Sequence, residues 1–553
     1  MNGGGLFVSA GFRFIAIIRF SLKAASISAE DRYARANPNL HQNPGPNAFA
    51  SLRQDLASRI GYSMKLGALR QLTPTTWVTI QTVYEQALGV ILFAVQAVVL
   101  GPHAFGLFSL VMVFIGFCEF VLGMAASEAL ISIPNIEDHH FHTMTTANVL
   151  ASVLLGVAAF LGADGIARVF NEPELAPVLR WMSALPLISA FCAAPIAASK
   201  REMRFRPIAL RSIAGLTVGG AAGLTLALLG AGVWALVVQA ILQRAVSAVV
   251  LWAAVPLQPK LSLSPRHFRD LQRFAAPVML SRTMNWASAQ IPRLVLGFYL
   301  GATELGLFSL AARLSDILVQ VALEPKTSVA RVDLRRFAGD PAGLEQAMRK
   351  LFLYMSVFCF PLCIGGAAVV PTLFHAWLDP HWFGGIVIAQ MMMLMGVPCI
   401  TLYCATAVLL AMNRQKWEAM ISTVQTSTTL LAVVLFAPFG LVAASAAIAL
   451  RPVILFPLPV LLMHRLCNLP VRLILHTQAP ALAASILMGS AVWLLGLHLG
   501  NTFSDAVTLM VLVLFGAAVY IAAIAALLPD FSGRLFRHLA QQVRGMPKSP
   551  DLG

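Results

Sequence analysis

Long apolar runs recur along the chain from residue 77 to residue 528, and they constrain the fold more than any other feature. About 20 residues in a helix cross the ~30 Å hydrocarbon layer of a bilayer. The runs lie at 77–99, 105–131, 144–163, 177–198, 208–230, 233–255, 275–300, 304–323, 350–371, 384–411, 418–437, 440–463, 479–498 and 506–528. Only 11% of the residues are charged, whereas a soluble domain averages about 25%. We therefore expect an all-α polytopic membrane protein with about 14 transmembrane helices.

Lysine and arginine are concentrated in alternate loops between these runs. The basic loop residues include Lys200, Arg201, Arg204, Arg206, Arg211, Lys260, Arg266, Arg331, Arg335, Arg414, Lys416, Arg465 and Arg472. Cytoplasmic loops of membrane proteins carry such an excess, so both termini are predicted to be cytoplasmic. The same rule accounts for the net charge of +15, and nucleic acid is not an expected partner.

An internal repeat divides the chain into halves. Residues 100–110 and 300–310 agree at seven of eleven positions, at an offset of 200, and each copy links the first and second runs of its half. The offset covers an even number of runs, so both halves face the same way. We predict two pseudo-symmetric six-helix bundles followed by two C-terminal helices. The boundaries are 64–256 and 257–465 for the bundles, 466–530 for the last two helices and 531–553 for a cytoplasmic tail.

Residues 1–63 differ from the rest in composition. Arg13 and Arg19 interrupt their one apolar stretch, which makes a poor signal peptide and a poor membrane span. Two interpretations remain open for this extension. It is disordered, or translation begins at Met64 and the extension is not made.

Arginines inside the predicted spans suggest a cavity for an anionic substrate, because a charge at membrane depth must face protein or water. Arg282 and Arg293 are eleven residues apart, which places them on one helix face, and Asn285 lies near that face. The other candidates are Arg313 and Asp316 on the next span, and Arg244 and Arg451 at similar places in the two halves. The alternative is that these charges pair with one another, as Arg313 and Asp316 would within one helix.

Two glutamates inside predicted spans have more than one interpretation. Glu85 and Glu119 either bind a coupling proton or sodium ion, or serve as partners for an arginine.

Motifs for metals, cofactors and covalent catalysis are not found. The chain has no P-loop, zinc motif or nucleophile elbow, and its cysteines show no metal or redox spacing. Residues 138–142 resemble a histidine-rich metal tract, but a solvated loop is the expectation. We predict no metal, no cofactor and no enzymatic activity.

Several segments resemble one known family. These are residues 101–110 with their copy at 301–310, the basic stretch 201–207, the opening of a span at 232–236 and the turn at 438–443. Over about 70–530 the chain resembles the polysaccharide-transporter branch of the multidrug/oligosaccharidyl-lipid/polysaccharide exporter superfamily.

The resemblance implies a flippase of the bacterial inner membrane that works by alternating access. Its substrate would be an undecaprenyl-pyrophosphate oligosaccharide, moved to the periplasmic leaflet for exopolysaccharide, O-antigen or lipopolysaccharide assembly. Its partners would be that lipid-linked oligosaccharide, the bilayer, and a polysaccharide polymerase with its chain-length machinery.

Two other functions stay open. A cation-coupled multidrug exporter of the same superfamily would favour a cavity rich in carboxylates, which the excess of arginine argues against. An integral-membrane polysaccharide polymerase or ligase needs a sizeable external loop, which the sequence lacks.

Overall fold

The computed structural model describes residues 73–132, 137–255, 262–336, 341–412, 414–467, 471–499 and 503–529. The side chains of 122–132, 138, 270–285, 288, 318–336, 341–342, 415, 466–467, 471 and 473 fall outside this description. The predictions for residues 1–63 and for the tail at 531–553 concern residues outside the described ranges.

The described chain is built from helices. They are α1 Pro74–Val99, α2 Pro102–Ser132, α3 Asp138–Val169, α4 Leu175–Met182, α5 Leu185–Arg201, α6 Phe205–Leu228, α7 Val233–Ala254, α8 Pro265–Arg336, α9 Pro341–Trp377, α10 Ile386–Ala411, α11 Gln415–Phe436, α12 Leu441–Ile454, α13 Pro457–Cys467, α14 Val471–Leu499 and α15 Asp505–Leu527. Short 3-10 helices at Pro380–Gly385 and Ala437–Phe439 precede α10 and α12. The predicted solvated loop at 138–142 is wrong, because these residues form the first turn of α3 and His140 is buried.

Thirteen segments of the described residues are long and apolar enough to cross a membrane. One of them, Ala289–Ile317, contains a break at Gly301, where the backbone has φ 80° and ψ −178°. Glycine adopts this conformation without the penalty of a Cβ atom. Thus α8 consists of two helices that meet at the predicted boundary between the seventh and eighth spans. The prediction of an all-α polytopic membrane protein is confirmed.

The two copies of the sequence repeat pack against each other through their glycines. A Cβ atom added to Gly106 would overlap the carbonyl oxygen of Ala302, and one added to Gly306 would overlap that of Pro102. Each position in one contact is 200 residues from its counterpart in the other, so the contact is pseudo-symmetric. The end of the molecule that holds this contact is called the repeat end.

A single hydrophobic core cluster joins helices from before and after residue 260. Leu107 and Leu110 from the first copy are buried in it together with Leu305 and Leu310 from the second. Helices α2 and α8 form the most extensive helix pair in the described part of the chain. The repeat therefore places α8 directly along α2, and this placement forms one wall of the site.

Candidate functional site

A cavity of about 560 Å³, the central cavity, lies between α1, α2, α6, α7 and α8. Its lining residues are Gly89, Leu92, Phe93, Gln96, Phe105, Phe108, Ser109, Met112, Gly116, Leu216, Leu236, Gln239, Ala240, Gln243, Arg244, Gln290, Arg293, Ser309 and Arg313. Ser109 and Ser309 are equivalent positions of the repeat, so both copies contribute to one wall. The volume lies within the usual range of about 300–1,000 Å³ for ligand sites.

The central cavity is cationic. Three of its lining residues are arginines, Arg244, Arg293 and Arg313, and the described lining contains no aspartate or glutamate. Glutamine and serine side chains supply the remaining polar groups. A guanidinium donates paired hydrogen bonds to phosphate or carboxylate, and the amides and hydroxyls suit neutral polyols. The lining therefore suits a ligand with an anionic group and hydroxyl groups.

The arginines on α8 are oriented toward this space by local contacts. Arg293 Nη1 donates to Gln290 Oε1 at 2.9 Å. A Cβ atom on Gly89 would lie 3.9 Å from Arg313 Nη2, so the glycine leaves room for that guanidinium. Arg313 and Asp316, whose side chains are both described, form no direct ion pair, and Asp316 does not line the cavity. The charge of Asp316 nevertheless interacts with both Arg293 and Arg313. The predicted alternative, in which these charges balance one another, stays a prediction.

Arg244 has a carboxylate partner. Its Nε donates to Glu119 Oε1 at 3.2 Å and its Nη2 donates to Glu119 Oε2 at 3.1 Å. Ser189 Oγ donates to the same carboxylate at 2.6 Å. Glu119 thus occupies the role of arginine partner, which was one of the two interpretations of its sequence position.

A second cavity of about 330 Å³, the side cavity, adjoins the central one. Both are lined by Gln243 and Arg244, and the side cavity also contains Glu85, Glu119 and Arg211. Gln81 Nε2 donates to Glu85 Oε1 at 3.0 Å. Glu85 and Glu119, both predicted from the sequence, therefore line the same side cavity. Arg244 lines both this cavity and the central one.

Some polar residues of these cavities were not predicted as site residues. Gln239 and Gln243 stand four residues apart on one face of α7, and Gln239 is hydrogen-bonded to Gln96 of α1. Arg211 counted as a loop cation in the sequence, yet it lies within α6 and lines the side cavity. The i, i+4 spacing of amides within an apolar span was the signal that would have identified the pair on α7.

Other predicted residues lie elsewhere. Arg451 of α12 donates to Thr429, and its Nε is buried without a hydrogen-bond partner in the described part of the chain. Arg451 does not line the central cavity. The side chains of Arg282 and Asn285 are outside the described part of the structure. Arg244 and Arg451 therefore occupy similar sequence positions but different surroundings.

Glu172 joins the two repeat copies at the repeat end. Its Oε1 accepts from the backbone N–H of Ala302 at 2.9 Å, and its Oε2 lies 3.3 Å from His103 Nε2. This carboxylate satisfies an N–H group at the first turn of the second helix of α8, where the helix dipole favours a negative charge. The halves are thus held together on this side of the central cavity.

Contacts at the opposite end also join the two halves. The backbone N–H groups of Ser262 and Ser264 donate to Thr146 and Thr143 of α3, at 3.0 and 3.3 Å. His267 Nε2 lies 3.3 Å from Glu137 Oε2. Helix α3 therefore contacts the second half near both of its own ends.

The family of the chain follows from comparison with known proteins. A family model described as "Polysaccharide biosynthesis protein" matches residues 95–386, slightly more than half of the chain. The chain belongs to this family. The match includes the helices that line the central cavity from α2 to α8, and the prediction of a polysaccharide-transporter family is confirmed.

Named relatives of this family member are distant from it in sequence. Succinoglycan biosynthesis transport protein ExoT of Rhizobium meliloti (strain 1021) is 26% identical over 288 residues, which cover 52% of this chain and 58% of the relative. Lipopolysaccharide biosynthesis protein WzxC of Escherichia coli (strain K12) is 24% identical over 337 residues, which cover 59% and 67%. The chain thus spans only about three fifths of the first of these relatives.

Solved structures share the fold of this family member. The lipid II flippase MurJ in an inward closed conformation has a TM-score of 0.66 at 14% identity, covering 82% of this chain and 99% of MurJ. An inward-facing multidrug resistance MATE family transporter of the MOP superfamily has a TM-score of 0.54 at 16% identity, covering 72% and 98%. These similarities establish the architecture of a polytopic all-α membrane protein.

Proposed function

We propose that the protein is a flippase that moves undecaprenyl-pyrophosphate-linked oligosaccharide units across the bacterial inner membrane for polysaccharide biosynthesis. The observation that carries this proposal is the central cavity, whose three arginines face a space with no described carboxylate in its lining. The cavity is a site for binding and release, so the proposed activity involves no covalent chemistry.

The pyrophosphate group is the part of the substrate that matches the arginines. Arg293 and Arg313 form no hydrogen bond or ion pair with a carboxylate among the described residues, and Asp316 interacts with both only at longer range. Both arginines lie on α8, on opposite sides of Gly301. A pyrophosphate accepts paired hydrogen bonds from two guanidinium groups in the same space. The amides of Gln239, Gln243 and Gln290 are suited to the sugar hydroxyls. The polyprenyl chain would remain in the bilayer, because its transfer into a polar cavity is unfavourable.

Further predicted residues extend this site. Arg282 and Asn285 belong to the same helix as Arg293, and the three-turn spacing of the two arginines supports a second contact with the pyrophosphate. Arg451 would contact the substrate from the second half in another state of the cycle, and Asp316 would contact the sugars. These assignments rest on sequence position and helix phase.

Alternating access would come from movement of the bundle at 64–256 against the bundle at 257–465. The glycine contacts at the repeat end and the contacts of α3 with Ser262 and Ser264 are the groups that would separate in turn. In the bacterial inner membrane, with both termini in the cytoplasm, the repeat end would be periplasmic. A polysaccharide polymerase and its chain-length machinery would then receive the unit on that side.

Glu119 and Glu85 are the proposed coupling groups. Protonation of Glu119 would break its paired hydrogen bonds with Arg244 and leave that guanidinium available to the substrate. Because Arg244 lines both cavities, a proton in the side cavity would change the charge that faces the central cavity.

The proposal is tested by mass spectrometry of polyprenyl-linked sugars from a deletion strain. A complete oligosaccharide unit should accumulate on its lipid carrier, on the cytoplasmic face, and the intact gene should remove it. Arg293→Gln should fail to complement. Arg180→Gln, which changes an arginine paired with Asp164 outside the cavity, should complement and is the matched control. Drug sensitivity with normal surface polysaccharide would instead indicate a multidrug exporter, and an unpolymerised unit on the periplasmic face would indicate a polymerase.

A further inference from the structure

A third cavity, of about 370 Å³, lies apart from the central one and between α9, α14 and α15. Its lining residues are Ala368, Pro371, Thr372, His375, Trp493, Gly496, Leu497, Asp505 and Thr508. It is at the repeat end, because α9 leads into the 3-10 helix whose Trp382 contacts Phe105 of the first repeat copy, with ring centroids 5.6 Å apart. This space is called the repeat-end cavity.

The repeat-end cavity combines one aromatic surface with uncharged and acidic hydrogen-bonding groups. Trp493 is 53% exposed, and the side chains of His375 and Asp505 are also exposed. The described lining includes no lysine or arginine, and within the described residues Asp505 forms no ion pair. The His375 ring is held edge-on to Phe383 at 4.3 Å between centroids, which orients the imidazole.

Thr508 contributes a hydroxyl group to the lining of this cavity. Thr508 is only 1% exposed, and its Oγ1 has no hydrogen-bond partner among the described residues. A buried hydroxyl group without a hydrogen-bond partner is energetically unfavourable. A ligand with hydroxyl groups would satisfy it.

The floor of the repeat-end cavity is closely packed. Met488, Val492 and Leu512 form a buried cluster between α14 and α15. A Cβ atom on Gly516 would lie 2.9 Å from Val492 Cγ2, so the two helices approach closely below the cavity. The lining groups are therefore carried by helices whose separation is fixed by their packing.

We propose that the repeat-end cavity binds a sugar residue, a subsite distinct from the central cavity. A sugar ring presents an apolar C–H face, which an indole ring covers, and hydroxyl groups at its edge. Asp505 accepts hydrogen bonds from two neighbouring hydroxyls, Thr508 and Thr372 donate or accept, and His375 does either according to its tautomer. An organic cation would also suit a tryptophan with a carboxylate, but it has no use for the two threonine hydroxyls and the imidazole.

The identity of the molecule that brings this sugar to the cavity rests on the proposed function. If the chain delivers glycan units to the side of the membrane that holds the repeat end, a sugar of the delivered unit reaches this cavity after leaving the central one. The subsite would then retain the glycan at the exit side, where the next step of assembly consumes it.

The test uses the full-length protein in lipid nanodiscs and saturation-transfer difference NMR. The probes are methyl β-D-glucopyranoside, methyl β-D-galactopyranoside and methyl α-D-mannopyranoside, with tetramethylammonium as the cation probe. At least one glycoside should receive saturation at its ring protons from the wild-type protein. Trp493→Ala and Asp505→Asn should each weaken its binding about tenfold.

Matched controls lie at the same end of the molecule. Trp377→Ala and Asp379→Asn change an exposed tryptophan and an exposed aspartate that do not line the cavity, and they should leave sugar binding unchanged. Absence of signal from all three glycosides, or equal loss in the control variants, would overturn the proposal. So would binding of tetramethylammonium alone that depends on Trp493 and Asp505.

The two proposals fail separately in this design. Arg293→Gln should block transport while keeping the glycoside signal, since Arg293 is not in the repeat-end cavity. A signal without accumulation of lipid-linked sugar in the deletion strain would overturn the flippase and keep the subsite. Accumulation of lipid-linked sugar in the deletion strain without a glycoside signal would support the flippase and overturn the subsite.

Discussion

At the scale of single residues, the arginines of the central cavity differ in how their charge is balanced. Arg244 is held by Glu119 in a direct ion pair, whereas Arg293 is hydrogen-bonded to the neutral amide of Gln290 and interacts with Asp316 only at longer range. A guanidinium whose donors are directed at a carboxylate has fewer of them left for an anionic ligand than one hydrogen-bonded to neutral groups. We therefore expect Arg293 to contribute more to substrate binding in this state than Arg244.

Arg293→Gln should weaken binding of a pyrophosphate-containing lipid by about 1.5–3 kcal/mol, roughly tenfold to a hundredfold, because a charge-assisted hydrogen bond is lost. The measurement is isothermal titration of the purified protein with undecaprenyl pyrophosphate in detergent. Arg293→Lys should give an intermediate affinity, since lysine keeps the charge but not the paired donors. Equal affinity of all three proteins would remove Arg293 from the site.

Glu119→Gln should make transport insensitive to the proton gradient, because the neutral amide leaves the Arg244 guanidinium free at all times and protonation no longer changes its pairing. The assay compares lipid-linked sugar in cells with and without a protonophore. Ser189→Ala is the milder variant. It removes one hydrogen bond to Glu119, worth about 0.5–1.5 kcal/mol, and should keep the gradient dependence. A Glu119→Gln variant that responds to the protonophore as the wild type does would exclude this coupling role.

At the scale of helices, the close approach of α2 and α8 depends on two glycines. Alanine at position 106 would overlap the backbone of Ala302, and backbone cannot move aside as a flexible side chain does. The helices would have to separate at the repeat end, which is the movement that we propose opens this side of the molecule.

Gly106→Ala should lower the free energy of unfolding by about 1–3 kcal/mol, because the added methyl group overpacks the contact at the repeat end. Thermal unfolding followed by circular dichroism in detergent should give a lower midpoint than for the wild type. Gly165→Ala is the control, because a Cβ atom there meets nothing within 4 Å, and alanine favours the α3 helix. Unfolding of both variants at the same temperature would contradict the role of the glycine contact.

The sequence predicted helices well and side-chain neighbours less well. Apolar length located nearly every membrane-crossing helix, and the repeated Gly-Leu-Phe-Ser-Leu stretch located the break at Gly301. The prediction of an arginine-lined cavity rests on charges at membrane depth, and Arg293 and Arg313 both line the central cavity. The similar sequence positions of Arg244 and Arg451 do not predict their surroundings, because the two residues are packed against different helices. The pairing of Glu119 with Arg244 depends on residues 125 apart, which periodicity within one helix does not relate.

At the scale of the whole molecule, the alternation of basic loops predicts which end faces the cytoplasm. Thr303 is exposed at the repeat end, and Lys416 is exposed at the start of α11 on the opposite end. The positive-inside rule assigns the first to the periplasm and the second to the cytoplasm.

Thr303→Cys should react with a membrane-impermeant maleimide in intact cells, whereas Lys416→Cys should react only after the inner membrane is permeabilised. The wild-type protein is the control, because its described cysteines are all buried and should react slowly in both preparations. Labelling in the reverse order would invert the proposed orientation and place the repeat-end cavity in the cytoplasm.

The glycine contact at the repeat end has a consequence for assembly. Gly106 meets residue 302 and Gly306 meets residue 102, so the same surface pattern occurs on both sides, as in the isologous interface of a homodimer. A fragment that contains only one half would still carry a glycine and the carbonyl that a matching glycine requires. Such fragments would be expected to pair with copies of themselves. In the intact protein, the covalent link between the two halves raises their effective concentration and favours the pairing of one half with the other.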